Sequence, residues 1–316
     1  MSSFDSHPAL EGRPNLAAVC VGIAERSRFQ KKSVLRTLDA AAPQFLDFAE
    51  DWVTRLLAAM PTRDVGRLAQ DYVAYTKMIR IEEMHFRAEQ EYRYRDFDEV
   101  YQRVYGSDAH MSSYVTGLGL TQLFWPNHYA VVRFYLDRFL PHVTGARRGA
   151  EIGVGHGLFH SELLRAAPQV ETKMLDISPV SLGFTHRVIT ATGLDNGRAQ
   201  KSLVDIQKDI PVEDGSLDAL LMGEVVEHLE HGEAVMRAMS SKMAPGGRCF
   251  FTTAANAPAE DHILLFRTSA EIRAFLSGCG WEILDEHIDP IGDIPLDQAE
   301  AEGHNINYAA TLKARA

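Results

Sequence analysis

The chain has 316 residues, 46% of them hydrophobic, and a formal net charge of −11, enough length for one large or two modest domains with a sizeable core. No apolar run approaches the roughly 20 residues that a bilayer span requires, no basic-then-apolar leader opens the sequence, and Cys20, Cys249 and Cys279 have neither metal nor redox spacing. The totals therefore argue against a membrane-spanning or disulfide-stapled protein and set the expectation of a cytoplasmic one.

Residues 1–15, broken by Pro8, Gly12 and Pro14, read as an irregular lead-in. Helical spacing then takes over. Val34, Leu35, Leu38, Phe45, Leu46, Phe48 and Ala49 fit apolar faces, as do Trp52, Val53, Leu56, Leu57 and Met60 before Pro61 interrupts. Further helical patterns cover about 65–95, 98–105 closed by Gly106, and 127–140 closed by Pro141. The sum is an all-helical domain over 1–145 without internal repeats. Its single Glu82-x-x-His85 pair lacks the second copy that a di-iron bundle needs and reads as a solvated face. Nine of the ten tyrosines lie between Tyr72 and Tyr135, where aromatic side chains first of all fill a core.

After a linker at 144–148, Gly149-Ala-Glu-Ile-Gly-Val-Gly-His-Gly157 reads as a buried strand running into a glycine-rich turn and then a helix. Gly153, Gly155 and Gly157 let a ligand approach the backbone closely. A dinucleotide fingerprint would place its third glycine at 158, which is Leu158. A second strand ends in Asp176, placed to accept hydrogen bonds from two ribose hydroxyls. Another strand, 201–205, ends in Asp205, suited to an adenine amino group. A fourth strand covers 218–224, with Val225-Val-Glu-His-Leu229 behind it and the turn Ala244-Pro-Gly-Gly247 before a fifth strand at 248–253. Thr268 and Ser269 then cap a helix over 271–276. A sixth strand at 281–285, an exposed loop at 290–305 and a last strand at 304–313 complete the chain.

In this order and spacing, residues 146–316 resemble the class I S-adenosylmethionine-dependent methyltransferases. The resemblance implies an α/β fold: a doubly wound, seven-stranded Rossmann-like sheet with its last strand antiparallel, joined to the N-terminal all-helical domain. It implies S-adenosylmethionine as cofactor. Glu151 would orient the methionine amino group, Gly153, Gly155 and Gly157 would pass beneath the methionine, and Gly223 would end the fourth strand beside it. Asp176 would hold the ribose with Ile177 and Ser178 beside it, and Asp205 and Ile206 would bracket the adenine. Each strand-ending acid is also suited to capping the following helix. Helices ahead of the first strand commonly form a lid in this family, which makes Tyr114, Trp125, His128 and Tyr129 candidate acceptor contacts, with Asn256 from the loop after the fifth strand.

The chain lacks the Asn/Asp-Pro-Pro-aromatic signature of many DNA and protein N-methyltransferases. Its Gly223-Glu-Val-Val-Glu-His228 is similar to the branch of ubiquinone-pathway O-methyltransferases and many small-molecule enzymes. Glu224, Glu227 and His228, spaced to share one helical face, are the candidate catalytic residues. With His262 they resemble the divalent-metal ligands of small-RNA 2′-O-methyltransferases; without metal, His228 is the candidate general base. The expected reaction is methylation of a small molecule on oxygen, with nitrogen next. The alternatives are a metal-dependent RNA 2′-O-methyltransferase and a non-catalytic cofactor-binding regulator. Residues 146–316 hold 15 Lys/Arg against 25 Asp/Glu, which disfavours nucleic acid. The aromatic-rich helical domain is also a candidate homodimer surface.

Overall fold

The computed structural model describes residues 4, 7–292 and 294–315. Residues 1–3, 5 and 6 of the expected lead-in, residue 293 and the last residue lie outside the described residues. Prolines and polar caps set where the chain turns helical. Pro14 and Pro43 open α1 (Pro14–Arg26) and α3 (Pro43–Ala59) at first-turn positions, where a missing N–H does no harm. Ser27 and Asp64 accept backbone N–H bonds at the starts of α2 (Arg28–Asp39) and α4 (Val65–Glu89). The expected 65–95 pattern stops at Glu89 because Gln90 turns left-handed. Then follow α5 (Phe97–Val100) with a π turn at Tyr101–Tyr105, α6 (Asp108–Phe124), and α7 (Pro126–Phe134) with a second π turn at Tyr135–Phe139 and a 3-10 turn at Leu140–His142.

The remainder alternates strands and helices: β1 (Arg148–Ile152), α8 (Leu158–Ala166), β2 (Glu171–Asp176), α9 (Pro179–Ala191), β3 (Ala199–Leu203), β4 (Leu217–Gly223), α10 (Gly232–Lys242), β5 (Met243–Ala255), α11 (Ser269–Gly278), β6 (Trp281–Pro290), α12 (Leu296–Glu302) and β7 (Ile306–Ala314). One sheet results, in the order β3-β2-β1-β4-β5-β7-β6, with β7 antiparallel to both neighbours, as expected. The strand order reverses between β1 and β4, and in such sheets ligands bind in the crevice beyond the strand ends at that point. Two expectations change. The stretch 290–305 is no open loop but carries α12, anchored by buried Ala299 and ended by left-handed Gly303. Asp205 lies two residues beyond β3 rather than in it.

The helical segment and the sheet share a core. Leu16, Trp52, Leu56, Phe124 and Phe139 belong to one buried cluster with Leu158, Phe159, Leu163 and Phe250. Each such large apolar side chain contributes roughly 1.5–3 kcal/mol by leaving water. Polar ties cross the same seam. The Arg55 guanidinium donates to Glu162 Oε1 at 2.6 Å and to Ser161 Oγ at 3.0 Å, and Tyr135 Oη donates to the Phe159 carbonyl at 2.7 Å. A second cluster, with Met222, Met236, Phe251, Trp281 and Tyr308, fills the other face of the sheet. All three cysteines are reduced and buried. Among the described residues, no helix is long and apolar enough to cross a membrane.

Candidate active site

The turn after β1 uses its glycines differently. Gly153, Gly155 and Gly157 all have positive φ, at 68°, 45° and 79°. A Cβ on Gly157 would sit 2.9 Å from Thr185 Oγ1, and one on Gly153 would sit 2.8 Å from Val225, so these two are held against neighbouring elements. At Gly155 a Cβ would meet nothing closer than 3.9 Å; this glycine faces open space and lines the cavity.

Glu151, Gly153, Gly155, Asp176, Ile177, Asp205, Ile206 and Gly223 line one end of a cavity of about 220 Å³. Gly157 and Ser178 lie behind it. Gly157 caps α8, and Ser178 caps α9 by accepting from Ser181 N at 3.2 Å. Asp176 accepts from Ser178 N at 2.8 Å, yet burial pushes its carboxyl up to about 6. Glu151 Oε2 accepts from His160 Nδ1 at 2.9 Å, while His160 Nε2 accepts from Thr172 Oγ1 at 3.0 Å; burial raises the Glu151 carboxyl above its usual range. Asp205 caps its own turn through Gln207 N at 3.0 Å and pairs with Lys208 at 3.0 Å.

The other end of the cavity is roofed by the helical segment. Tyr75 of α4, Tyr105 of the first π turn, Tyr114 and Gln122 of α6, and Trp125 and His128 beside and on α7 line it. Tyr75 and Tyr114 meet edge to face at 5.3 Å, and Trp125 and His128 at 4.8 Å. His128 Nδ1 lies 2.9 Å from Thr121 Oγ1, and burial pushes the ring down to about 4, so it is neutral near pH 7.

Two expected acceptor contacts are corrected. Tyr129 points away from the cavity and packs edge-on against Phe45 at 4.5 Å, because one residue along a helix turns the side chain by about 100°. Asn256 makes a turn, with φ 51°. Its side-chain amide is used on the Arg267 and His304 carbonyls at 2.8 and 3.4 Å.

Between the two ends stands the Glu-x-x-Glu-His stretch. It does not form one helical face: Glu224 has φ 51° with its N–H on the Thr252 carbonyl at 3.1 Å, and Val226–His228 make a single 3-10 turn. Glu227 Oε2 accepts from Thr253 Oγ1 at 2.9 Å, whereas Oε1 is buried without a partner. Burial, then the neighbouring Glu224 carboxylate, holds the Glu227 carboxyl well above its usual range. His228 Nδ1 donates to the Asp261 carbonyl at 2.9 Å and His262 Nδ1 to the Ala257 carbonyl at 2.6 Å, which in the neutral tautomer makes each Nε2 the acceptor nitrogen. The rings lie 4.8 Å apart, and burial, then His228, pushes His262 down to about 4. Glu227, His228 and His262 each offer a donor atom within 4.8 Å of the others. Glu224 lines the cavity but stands outside this trio.

Sequence reasoning missed Tyr75, Tyr105 and Asp261. Asp261 is 1% exposed and lines the cavity, and its Oδ2 accepts from Tyr105 Oη at 3.0 Å. The acids Glu260 and Asp261 directly before His262 were the available signal.

A glycine turn at a switch point, an acid ending the next strand and an antiparallel last strand give the sheet the fold of the class I S-adenosylmethionine-dependent methyltransferases. Residues 150–251 match the family model described as a methyltransferase domain. The chain is similar to the ubiquinone biosynthesis O-methyltransferase of Xanthomonas axonopodis pv. citri (strain 306), 30% identical over 35% of this chain and 45% of that protein. It is also similar to the protein of that name from Xanthomonas campestris pv. campestris (strain B100), 32% identical over 35% and 45% of the two chains. The chain thus spans about half the length of the curated relatives it matches. Among solved structures it is similar to the mitomycin 7-O-methyltransferase MmcR, with a TM-score of 0.53 and 14% identity over 96% of this chain and 95% of that one. That is a likeness of fold, and it takes in the helical segment as well as the sheet.

Proposed function

We propose that the chain transfers a methyl group from S-adenosylmethionine to a hydroxyl of a small molecule, with 146–316 holding the cofactor and 1–145 roofing the acceptor. The observation that carries this reading is a single cavity lined by a glycine turn and Asp176, by aromatic side chains of the helical segment, and by His228 and His262, with buried Glu227 of the trio just outside the lining. Glu151, Gly153 and Gly155 take the methionine, Asp176 and Ile177 the ribose, and Asp205 and Ile206 the adenine. The acceptor oxygen bonds to the methyl carbon as the carbon–sulfur bond of the sulfonium breaks, leaving S-adenosylhomocysteine and releasing the hydroxyl proton to water. Positioning of the two reactants supplies most of the acceleration.

The trio fits a divalent cation: a buried carboxylate oxygen lacks a partner, and both imidazoles direct their protons to backbone carbonyls. Such an ion, when bound, lowers the pKa of the acceptor hydroxyl. A second reading has His228 Nε2 take the proton itself, favoured by the same Nδ1 bond to Asp261. The exposed Phe29, Ile81 and Met84 of α2 and α4 give two copies an apolar surface on which to pair.

The test is calorimetric binding of S-adenosylhomocysteine with metal analysis of the parent and a Glu227→Gln, His262→Ala variant. Cofactor binding in both, with metal near one equivalent in the parent and lost in the variant, is expected. Metal-free parent protein that still methylates hydroxyl compounds would leave His228 as the base. Cofactor binding without methylation of any hydroxyl or amine compound would favour a regulator and overturn the enzymatic reading.

A further inference from the structure

Asp261 enters the reading above only through its backbone, whose carbonyl fixes the His228 ring. Its side chain also approaches that ring, with Oδ2 3.5 Å from His228 Nδ1. It is 1% exposed and lines the cavity; Oδ2 accepts from Tyr105 at 3.0 Å, while Oδ1 is buried with no hydrogen-bond partner. A carboxylate oxygen taken out of water and left without a donor is costly, so this corner is complete only when something else supplies the hydrogen.

The surroundings say what that is. Tyr75, Tyr105, Tyr114 and Trp125 present rings to the same chamber, Glu224 adds a second acid, and among the described residues that line the cavity none is a lysine or arginine. An anionic group entering here would find carboxylates and ring faces, which repel it, and no lysine or arginine to pair with. A neutral hydroxyl or an ammonium would find acceptors and electron-rich rings.

We infer that Asp261 selects the acceptor: its free Oδ1 takes a hydrogen bond from a second donor group, hydroxyl or ammonium, on a hydroxylated aromatic compound that carries no carboxylate or phosphate. The inference rests on the methyl transfer proposed above and names the substrate class for it. Asp261 is a specificity residue, and the methyl group need not pass near it.

The experiment uses three catechols that differ in one ring substituent: aminomethyl, methyl or carboxylate. Each is titrated, with magnesium present, into the full chain loaded with S-adenosylhomocysteine. The readout is tryptophan fluorescence, since Trp125 lines the chamber while Trp52 and Trp281 are fully buried. Each compound is then incubated with S-adenosylmethionine and the products are analysed. The aminomethyl and methyl compounds should bind roughly tenfold or more tightly than the carboxylate. Asp261→Asn keeps the carbonyl that holds His228, exchanges the carboxylate 3.5 Å from His228 Nδ1 for an amide, and should narrow that ratio severalfold. A carboxylate compound that binds as well as the others overturns the inference, as does an unchanged ratio in the variant or failure of all three to bind protein that still takes up S-adenosylhomocysteine. If the variant does not fold, the parent's ratio alone decides. The expected binding order with no methylated product would sink the O-methylation reading while leaving the selection in place; methylation with the reverse order would sink the selection alone.

Discussion

The two ends of the cavity are built in different ways. The end proposed for the cofactor comes from short contiguous stretches: a turn whose backbone matters more than its side chains, and acids at or just past strand ends. The end proposed for the acceptor comes from side chains on α4, the first π turn, α6, α7 and the loop after β5, which meet only because a shared core folds the helices over the sheet. A site made of backbone and local spacing can be read from a sequence; a site made of tertiary packing has to be seen.

Particular residues show this. Gly153, Gly155 and Asp176 were legible because a turn and a strand end have local signatures. α6 was not. Residues Asp108–Phe124, Gly117 and Gly119 among them, are buried on several faces, so no polar stripe marks a helix. In the structure these glycines allow close approach. A Cβ at Gly117 would lie 2.7 Å from the Asp71 carbonyl oxygen, and one at Gly119 would lie 2.9 Å from Leu56. Missing α6 left Tyr114 without a supporting element, and it was placed only through the resemblance. Tyr129 also came only from the resemblance, and as the helical neighbour of His128 it lies on a different face.

The largest effect is expected at the seam between the helical segment and the sheet. Arg55→Met removes the guanidinium that pairs with Glu162 and leaves that acid buried, so a loss of about 3–5 kcal/mol is expected in denaturant unfolding. A single transition for both halves should persist. If the helical segment melts alone, the roof is an independent domain and the shared core has been overvalued.

Asp176→Asn should separate the two ends. The burial-raised carboxyl gives the cofactor-free fold a stabilising contribution that is fully present below the ordinary carboxylate range and lost as pH rises through about 6. Cofactor binding requires the ionised form and should strengthen over the same rise. The variant should therefore lose roughly 10- to 100-fold in S-adenosylhomocysteine affinity at pH 7. Its own melting temperature should rise slightly, with catechol binding little changed. A fall in melting temperature would contradict the burial argument.

Gly117→Ala, which overpacks α6 against α4, should lower stability by about 1–3 kcal/mol and weaken acceptor binding more than cofactor binding. Equal weakening of both would mean that the two ends are not separable. The smallest effect belongs to Tyr129→Phe, which keeps the ring on Phe45 and should leave the acceptor KM within about twofold and stability within roughly 0.5 kcal/mol. Trp125→Ala, in the same assay, should raise that KM. Parity between the two would return Tyr129 to the acceptor wall.

The burial of every thiol has a practical consequence for watching this molecule come apart. Cys20 sits in α1, Cys249 in β5 and Cys279 just after α11, and burial raises all three above the ordinary thiol range. An alkylating reagent should therefore leave the native protein unmarked. Once labelling begins, the order in which the three peptides gain mass is a clock with separate hands for roof and sheet, readable without adding any foreign probe.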